Sequence, residues 1–248
     1  MNYQNVCNWR TKTKKMGVFS MLIALLMALM PLSARAAAEH EQERITQSGD
    51  VLKELLSGSN GIPINLLNKA ECVIILPSVK KAGFLLAGSY GRGVMSCRGG
   101  HDFNGPWSAP IMMQSSGGSF GLQAGGQATD FVILVMNDKG ARAVMNGKAK
   151  LGADASVAAG PVGREAEAST NAAMSAEMLS YSHAQGVFAG VSLSGTSLGP
   201  DGGANKNVYG KKVSGEQIWS GAVKAPPSAQ ELLAVLSQKS PKNESAGK

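Results

Sequence analysis

Glycine set inside apolar alternation constrains this chain more than any other feature. There are 31 glycines in 248 residues, against a usual share of about 7%. Many of them interrupt stretches of period-two alternation, from Ala82 to Cys97 and from Ile111 to Gln127. Glycine inside a strand marks a bend or a close backbone approach, so the pattern predicts a curved sheet. Two runs without such interruptions read as buried strands: Cys72 to Leu76, stopped by Pro77, and Phe131 to Met136, apolar at every position. Lys150 to Ala159, Met178 to His183 and Val187 to Leu193 read as three more strands.

Helices flank this block. From Glu41 to Ser57, Ile45, Leu52, Leu55 and Leu56 fall on one side and most charges elsewhere, and Gly58 to Gly61 ends the run. Pro63 opens a second helix of about two turns. Short helices are expected over Asp138 to Asn146 and Asp201 to Tyr209, and an amphipathic one over Ala229 to Gln238 after Pro226-Pro227. The predicted fold class is α+β: a curved, largely antiparallel, glycine-rich β-sheet, barrel- or sandwich-like, with flanking N- and C-terminal helices. No repeat or linker divides it. The expected organisation is a leader over 1–38, a single domain over 39–238 and a disordered tail over 239–248.

The leader carries Arg10, Lys12, Lys14 and Lys15, then an uncharged run from Met16 to Leu32, then small residues to Ala38. That order is the layout of a signal peptide, cleaved after Ala36 or Ala38, and it predicts a periplasmic or secreted protein. The competing reading is an uncleaved N-terminal anchor. The full chain carries a formal charge of +7, which falls to +2 when the four basic residues above and Arg35 leave. Aromatic residues are only 5%, so nucleic-acid binding loses its support. Cys7 precedes the apolar run and is not placed to accept a lipid. Cys72 and Cys97 remain. They are either a pair closing a loop worth ~3 kcal/mol or two buried free thiols, and the thiols are the preferred reading.

Five blocks in order resemble the SYLF domain family: AECVIILPSVKKAGFLLAGSYGRGV from Ala70, SGGSFGLQAGGQATDFVILVM from Ser116, VAAGPVGRE from Val157, YSHAQGVFAGVSLSG from Tyr181, and Asp201-x-x-x-Asn205-x-x-x-Tyr209-Gly210. The resemblance implies a non-enzymatic lipid-binding module. Eukaryotic members of that family bind phosphoinositides and yeast members bind actin filaments, while bacterial members are typically exported. The implied partner here is an anionic phospholipid membrane surface, with an envelope protein as the alternative, and no cofactor.

Two segments free of acidic residues supply candidate headgroup contacts: Lys80, Lys81, Arg92 and Arg98, then Lys139, Arg142, Lys148 and Lys150. Basic residues near an anionic surface are worth about 1 kcal/mol each. The plainer reading is solvated loop charge, and Arg92 pointing inward beside Tyr90 would be a partnered structural residue. Ile45, Leu52, Leu55 and Leu56 are the candidate membrane-contact stripe of the first helix, although packing on the chain's own sheet is the preferred reading. Gly117-Gly118-Ser119-Phe120-Gly121 fits G-x-S-x-G, with Asp130 or Asp138 and His183 as triad partners. The residues after Ser119 alternate like a strand, so Gly117-Gly118 reads as a turn or bulge and a hydrolase is disfavoured. The histidines His40, His101 and His183 have no metal-ligand spacing. Asp201, Asn205 and Tyr209 share a helix face, where capping and packing are the simpler roles.

Overall fold

The computed structural model describes residues 35–57, 61–83, 86–120, 125–147, 149–162, 175–184, 187–190, 193 and 195–245. The chain divides into two compact units, Met1–His40 and Glu41–Lys248. In the first, residues 35–40 are helical and Arg35 pairs with Glu39. The second holds everything that follows.

That unit opens with helix α1 (residues 41–57) and α2 (Ile64–Lys69). Then come β1 (Cys72–Gly83), β2 (Leu86–Cys97), β3 (Ile111–Phe120), β4 (Gly125–Val135), α3 (Asp138–Met145), β5 (Ala149–Lys150) and β6 (Val157–Ala159). The remainder is β7 (Met178–Ala184), β8 (Val187–Gly190), β9 (Thr196–Pro200), α4 (Gly202–Tyr209), α5 (Gly215–Trp219), a 3-10 turn (Pro227–Ala229) and α6 (Gln230–Lys239). The nine strands form one curled sheet in the order β5-β9-β3-β2-β1-β4-β7-β6, with β8 also on β7. Only the β6–β7 pairing is parallel among the described strands. The fold is thus the α+β class with a curved, largely antiparallel sheet.

Two apolar layers cover the sheet. Ile45, Leu52 and Leu55 of α1, Leu66 and Leu67 of α2 and Leu232 and Leu236 of α6 pack on Val73, Ile75, Val94, Met112, Val132 and Leu134. On the opposite face Ala141 and Val144 of α3, Ile218 and Trp219 of α5 and Phe103 pack on Ile74, Met95, Ile111, Ile133 and Val135. Coverage on both sides is why the centres of β1 and β4 tolerate no polar residue.

Several elements differ from the sequence expectation. Pro77 does not stop β1. The register shifts by one residue between Ile75 and Lys80 against β2, and between Leu76 and Val79 against β4. Ser78 there takes a φ of +50° and donates its amide to Asp130 Oδ1 at 2.7 Å. A bulge thus absorbs the proline, which has no amide to give. Gly117 and Gly118 are not a turn; they lie within β3, opposite Ser89 and Gly88. The stretch 150–159 is two short strands around a turn, and β9 and α5 were not anticipated.

The segment expected to be a disordered tail is tied down as far as residue 245. Ser240 is wholly buried, Asn243 Nδ2 donates to Phe103 O at 3.0 Å, and the Glu244 amide donates to Asn68 O at 2.8 Å. Its polarity misled because hydrogen bonds, rather than apolar contacts, hold it.

Candidate functional site

The fold separates the eight basic candidates. Arg98 is interior, 1% exposed, and cannot reach a membrane. Its Nε donates to Ala70 O at 3.0 Å, its Nη2 to Ser240 Oγ at 2.6 Å, and its guanidinium lies 4.4 Å from the Trp107 ring centre. Burial pushes its pKa down to about 10, opposed by Glu244. Arg92 is ion-paired, with Nη2 2.9 Å from Glu41 Oε1 and 2.6 Å from Asp201 Oδ2. Lys139 pairs with Glu177 at 2.5 Å and Arg142 with Asp138 at 2.7 Å. Lys148 lies outside the described residues. The carboxylates that hold Arg92 and Lys139 lie far from them in the chain, so both segments look unopposed when read along the sequence.

Lys80 and Lys150 instead fall in one row on one face of the sheet. Reading the registers across the sheet, Ala128 of β4 faces Lys80 of β1, which faces Tyr90 of β2. Tyr90 faces Ser116 of β3, Ser116 faces Ser197 of β9, and Ser197 faces Lys150 of β5. Directly opposed residues in an antiparallel pair point to the same side, so these six form one row on the face that α1 covers further along. Lys80, Ser116, Lys150 and Ala128 are exposed, and Tyr90 is 52% exposed. Among the described residues no carboxylate pairs with Lys80 or Lys150. Four strand spacings of ~4.8 Å separate their strands, roughly 19 Å along the sheet. Lys81, one residue on, points to the other side, where Ser89, Gly117 and Thr196 continue its row.

Tyr90, Ser116 and Ser197 were missed as site residues. Their period-two alternation is visible in the sequence, but which strands lie side by side is not.

The membrane-contact stripe is core. Ile45 and Leu52 are fully buried and Leu55 is 2% exposed, with Leu56 half-buried beside them. Helix α1 therefore spends its apolar side on the sheet. Cys72 and Cys97 are directly opposed across β1 and β2 and form a disulfide, with Cα atoms 3.9 Å apart, in place of the preferred free thiols.

The Asp201, Asn205 and Tyr209 face clamps α4 to the start of β3. Asp201 Oδ1 caps the helix by accepting from the Ala204 amide at 2.9 Å, and its Oδ2 accepts from Arg92. Burial opposes charge on Asp201, but the Ala204 amide and Arg92 outweigh it and hold the carboxyl below its ordinary range. Asn205, fully buried, accepts from the Met112 amide at 2.9 Å and donates back to Met112 O. Tyr209 donates to Pro110 O at 2.6 Å.

Catalytic and metal constellations do not assemble. Ser119 lies within β3, paired with Ala87, and the next described element is strand β4. His183 is on β7 with three strands between, roughly 19 Å along the sheet. Asp130, although opposed to His183, accepts the Ser78 amide, and Asp138 holds Arg142. Among the described residues no three His, Cys, Asp or Glu side chains group as metal ligands. No described helix is long and apolar enough to cross a membrane.

Comparison with known proteins gives the family. Residues 116–239, half of the chain, match the Ysc84 family model, described as Las17-binding protein actin regulator. A Schizosaccharomyces pombe protein, SH3 domain-containing protein PJ696.02, is 36% identical over 214 residues, covering 85% of this chain and 48% of that protein. Saccharomyces cerevisiae Protein YSC84 is 38% identical over 178 residues, 71% of this chain and 37% of its own length. SH3 domain-containing YSC84-like protein 1 of Rattus norvegicus is 31% identical over 208 residues, 81% and 60% respectively. The chain thus spans about half the length of the curated relatives it matches. With the ordered sequence blocks all found in one domain, the chain belongs to the SYLF (Ysc84) domain family.

Proposed function

We propose that this domain is a non-catalytic docking module that binds an anionic phospholipid or phosphoinositide surface through the row from Lys80 to Lys150. The observation that carries the reading is the exposure of both lysines on one face, neither ion-paired among the described residues, with Tyr90 exposed between them. Two lysines near an anionic surface contribute about 1 kcal/mol each, and an exposed tyrosine suits the headgroup layer, where one end is apolar and the other wet. Affinity on this account is modest and falls with salt. The order of basic, apolar and small residues over 10–38 supports export to the periplasm or beyond.

The test is flotation of the chain from Glu39 onward with vesicles of graded anionic content at low and high salt. Binding that rises with anionic lipid and falls with salt is expected. Absence of flotation on every vesicle refutes it.

A second reading has its own support. The family description names a Las17-binding actin regulator, which favours protein interaction as the principal activity, with an envelope protein as the partner here. Capture of one defined envelope protein, persisting in detergent and lost on substitution of Tyr90, would favour that reading over lipid.

A further inference from the structure

We infer that the surface formed by α2, Ala70, Arg98, Phe103 and Trp107 is a peptide-binding groove, filled here by the chain's own residues 240–245 and able to take the same segment from a second copy. It is independent of the lysine row, because Arg98 lies eight residues beyond Tyr90, roughly 27 Å in the strand direction.

The contacts define a pattern. Ser240 Oγ accepts from Arg98 Nη2 at 2.6 Å and donates to Leu67 O at 3.2 Å, while Ser240 O accepts from Trp107 Nε1 at 3.1 Å. A hydroxyl is needed at this point, since it must both accept and donate. Asn243 Nδ2 then donates to Phe103 O at 3.0 Å. The Glu244 amide donates to Asn68 O, and its carboxylate accepts from Asn68 Nδ2 at 3.0 Å. The groove therefore reads a bent Ser-x-x-Asn-Glu segment, with Pro241 and Lys242 exposed between the contacts.

Two properties make the segment exchangeable. Its outer part, Pro241 to Ser245, buries no apolar side chain and is held by hydrogen bonds and by the pull of Glu244 on Arg98, which places it among the first regions to open. The groove beneath does not stand empty at ease. Arg98 is buried and the carboxylate that acts on it, Glu244, belongs to the departing segment, while the Trp107 N–H and Leu67 carbonyl also lose a partner when Ser240 leaves. A second copy supplies identical atoms, and mutual exchange closes as a two-fold dimer. The chain's own segment wins in dilute solution through its effective concentration, of millimolar order for a short tether. Loosening it in place reveals the groove.

The probe is a fluorescein-labelled peptide of residues 239–248. It is titrated against the full chain and against the full-length triple variant Ser240→Ala/Asn243→Ala/Glu244→Ala, whose own segment no longer supplies the hydroxyl held between Arg98 and Leu67. The variant is expected to bind the peptide at least about ten-fold more tightly, by loss of the tethered competitor. Binding is expected to vanish when the peptide carries alanine in place of Ser240. Equal affinity of the two proteins, or indifference to that alanine, overturns the groove. In the unaltered chain, the Glu244 amide is expected to exchange hydrogen far faster than the amides of Val73 to Ile75; equal protection overturns the opening step even if the triple variant folds poorly. Sedimentation of the unaltered chain up to about 2 mM is expected to reveal a dimer that excess peptide dissolves. A monomer throughout, or a dimer that the peptide leaves intact, overturns the second copy as occupant.

Discussion

Replacing Asn205 with alanine isolates the clamp between α4 and β3. Asn205 is fully buried, and its side chain is the partner of the Met112 amide, itself in a residue 1% exposed. The Met112 carbonyl keeps a second partner, the Asp201 amide at 2.8 Å. The substitution therefore leaves one buried N–H without an acceptor and removes a weaker bond at 3.4 Å. An orphaned buried donor costs about 1–3 kcal/mol and a lost hydrogen bond about 0.5–1.5 kcal/mol, so the expected loss is about 2–4 kcal/mol. For a domain of this size, 1 kcal/mol moves Tm by about 2–4 °C, which gives a fall on the order of 10 °C. Calorimetry or circular dichroism melting reads it directly. Asn207→Ala, at an exposed position of the same helix, is the control and should change stability by no more than about 0.5 kcal/mol. A melting shift for Asn205→Ala as small as that of the control would refute the claim that this motif residue acts by completing the backbone of β3.

Other outcomes follow from the same structure. Gly93→Ala would set a Cβ 1.9 Å from Ile75 O at the β1 bulge and should abolish soluble expression, whereas Gly118→Ala, with nothing within 4 Å, should be tolerated. The Cys72–Cys97 bond joins residues 25 apart, so Cys72→Ala/Cys97→Ala should cost about 3.5 kcal/mol by the chain-entropy model, read as a lower urea midpoint. Burial, and then repulsion from Asp138, raise the Glu71 carboxyl to about 7, opposed by Arg142. The folded form therefore holds that proton more tightly than the unfolded chain. Its contribution is full below about pH 4.5 and is lost as pH rises through about 7. Glu71 is partly solvated, so the effect is ~1–2 kcal/mol. Melting against pH should fall over that window in the parent chain and flatten in Glu71→Gln.

Which parts of this molecule were legible in its sequence follows from the range of the forces involved. Helix α1 and the buried centre of β4 announce themselves by local periodicity, and each is found where Ile45, Leu52 and Val132 to Val135 placed it. Pro77 read as a terminator because the bulge that accommodates it is completed by Asp130, 52 residues beyond Ser78. Arg92 and Arg98 read as free surface charge because their partners, Asp201 and Ser240, lie more than a hundred residues further on. The lysine row joins five strands through pairings with no local signature, so Lys80 and Lys150 could be named from charge but not placed beside Tyr90. Ser240 read as part of a loose end because polar composition does not reveal which polar residues find buried partners.

Charge reversal within the Lys80–Lys150 row is the most direct test of lipid binding. Lys80→Glu/Lys150→Glu and Lys224→Glu/Lys239→Glu change net charge equally; all four lysines are exposed, and only the first pair lies in the row. Both variants and the parent chain would be floated with vesicles rich in anionic phospholipid at low salt, after melting curves establish that all three are folded. The row variant should lose flotation while the other retains it. Equal retention, or equal loss in both, would contradict a lipid-binding row and return its lysines to ordinary solvated charge.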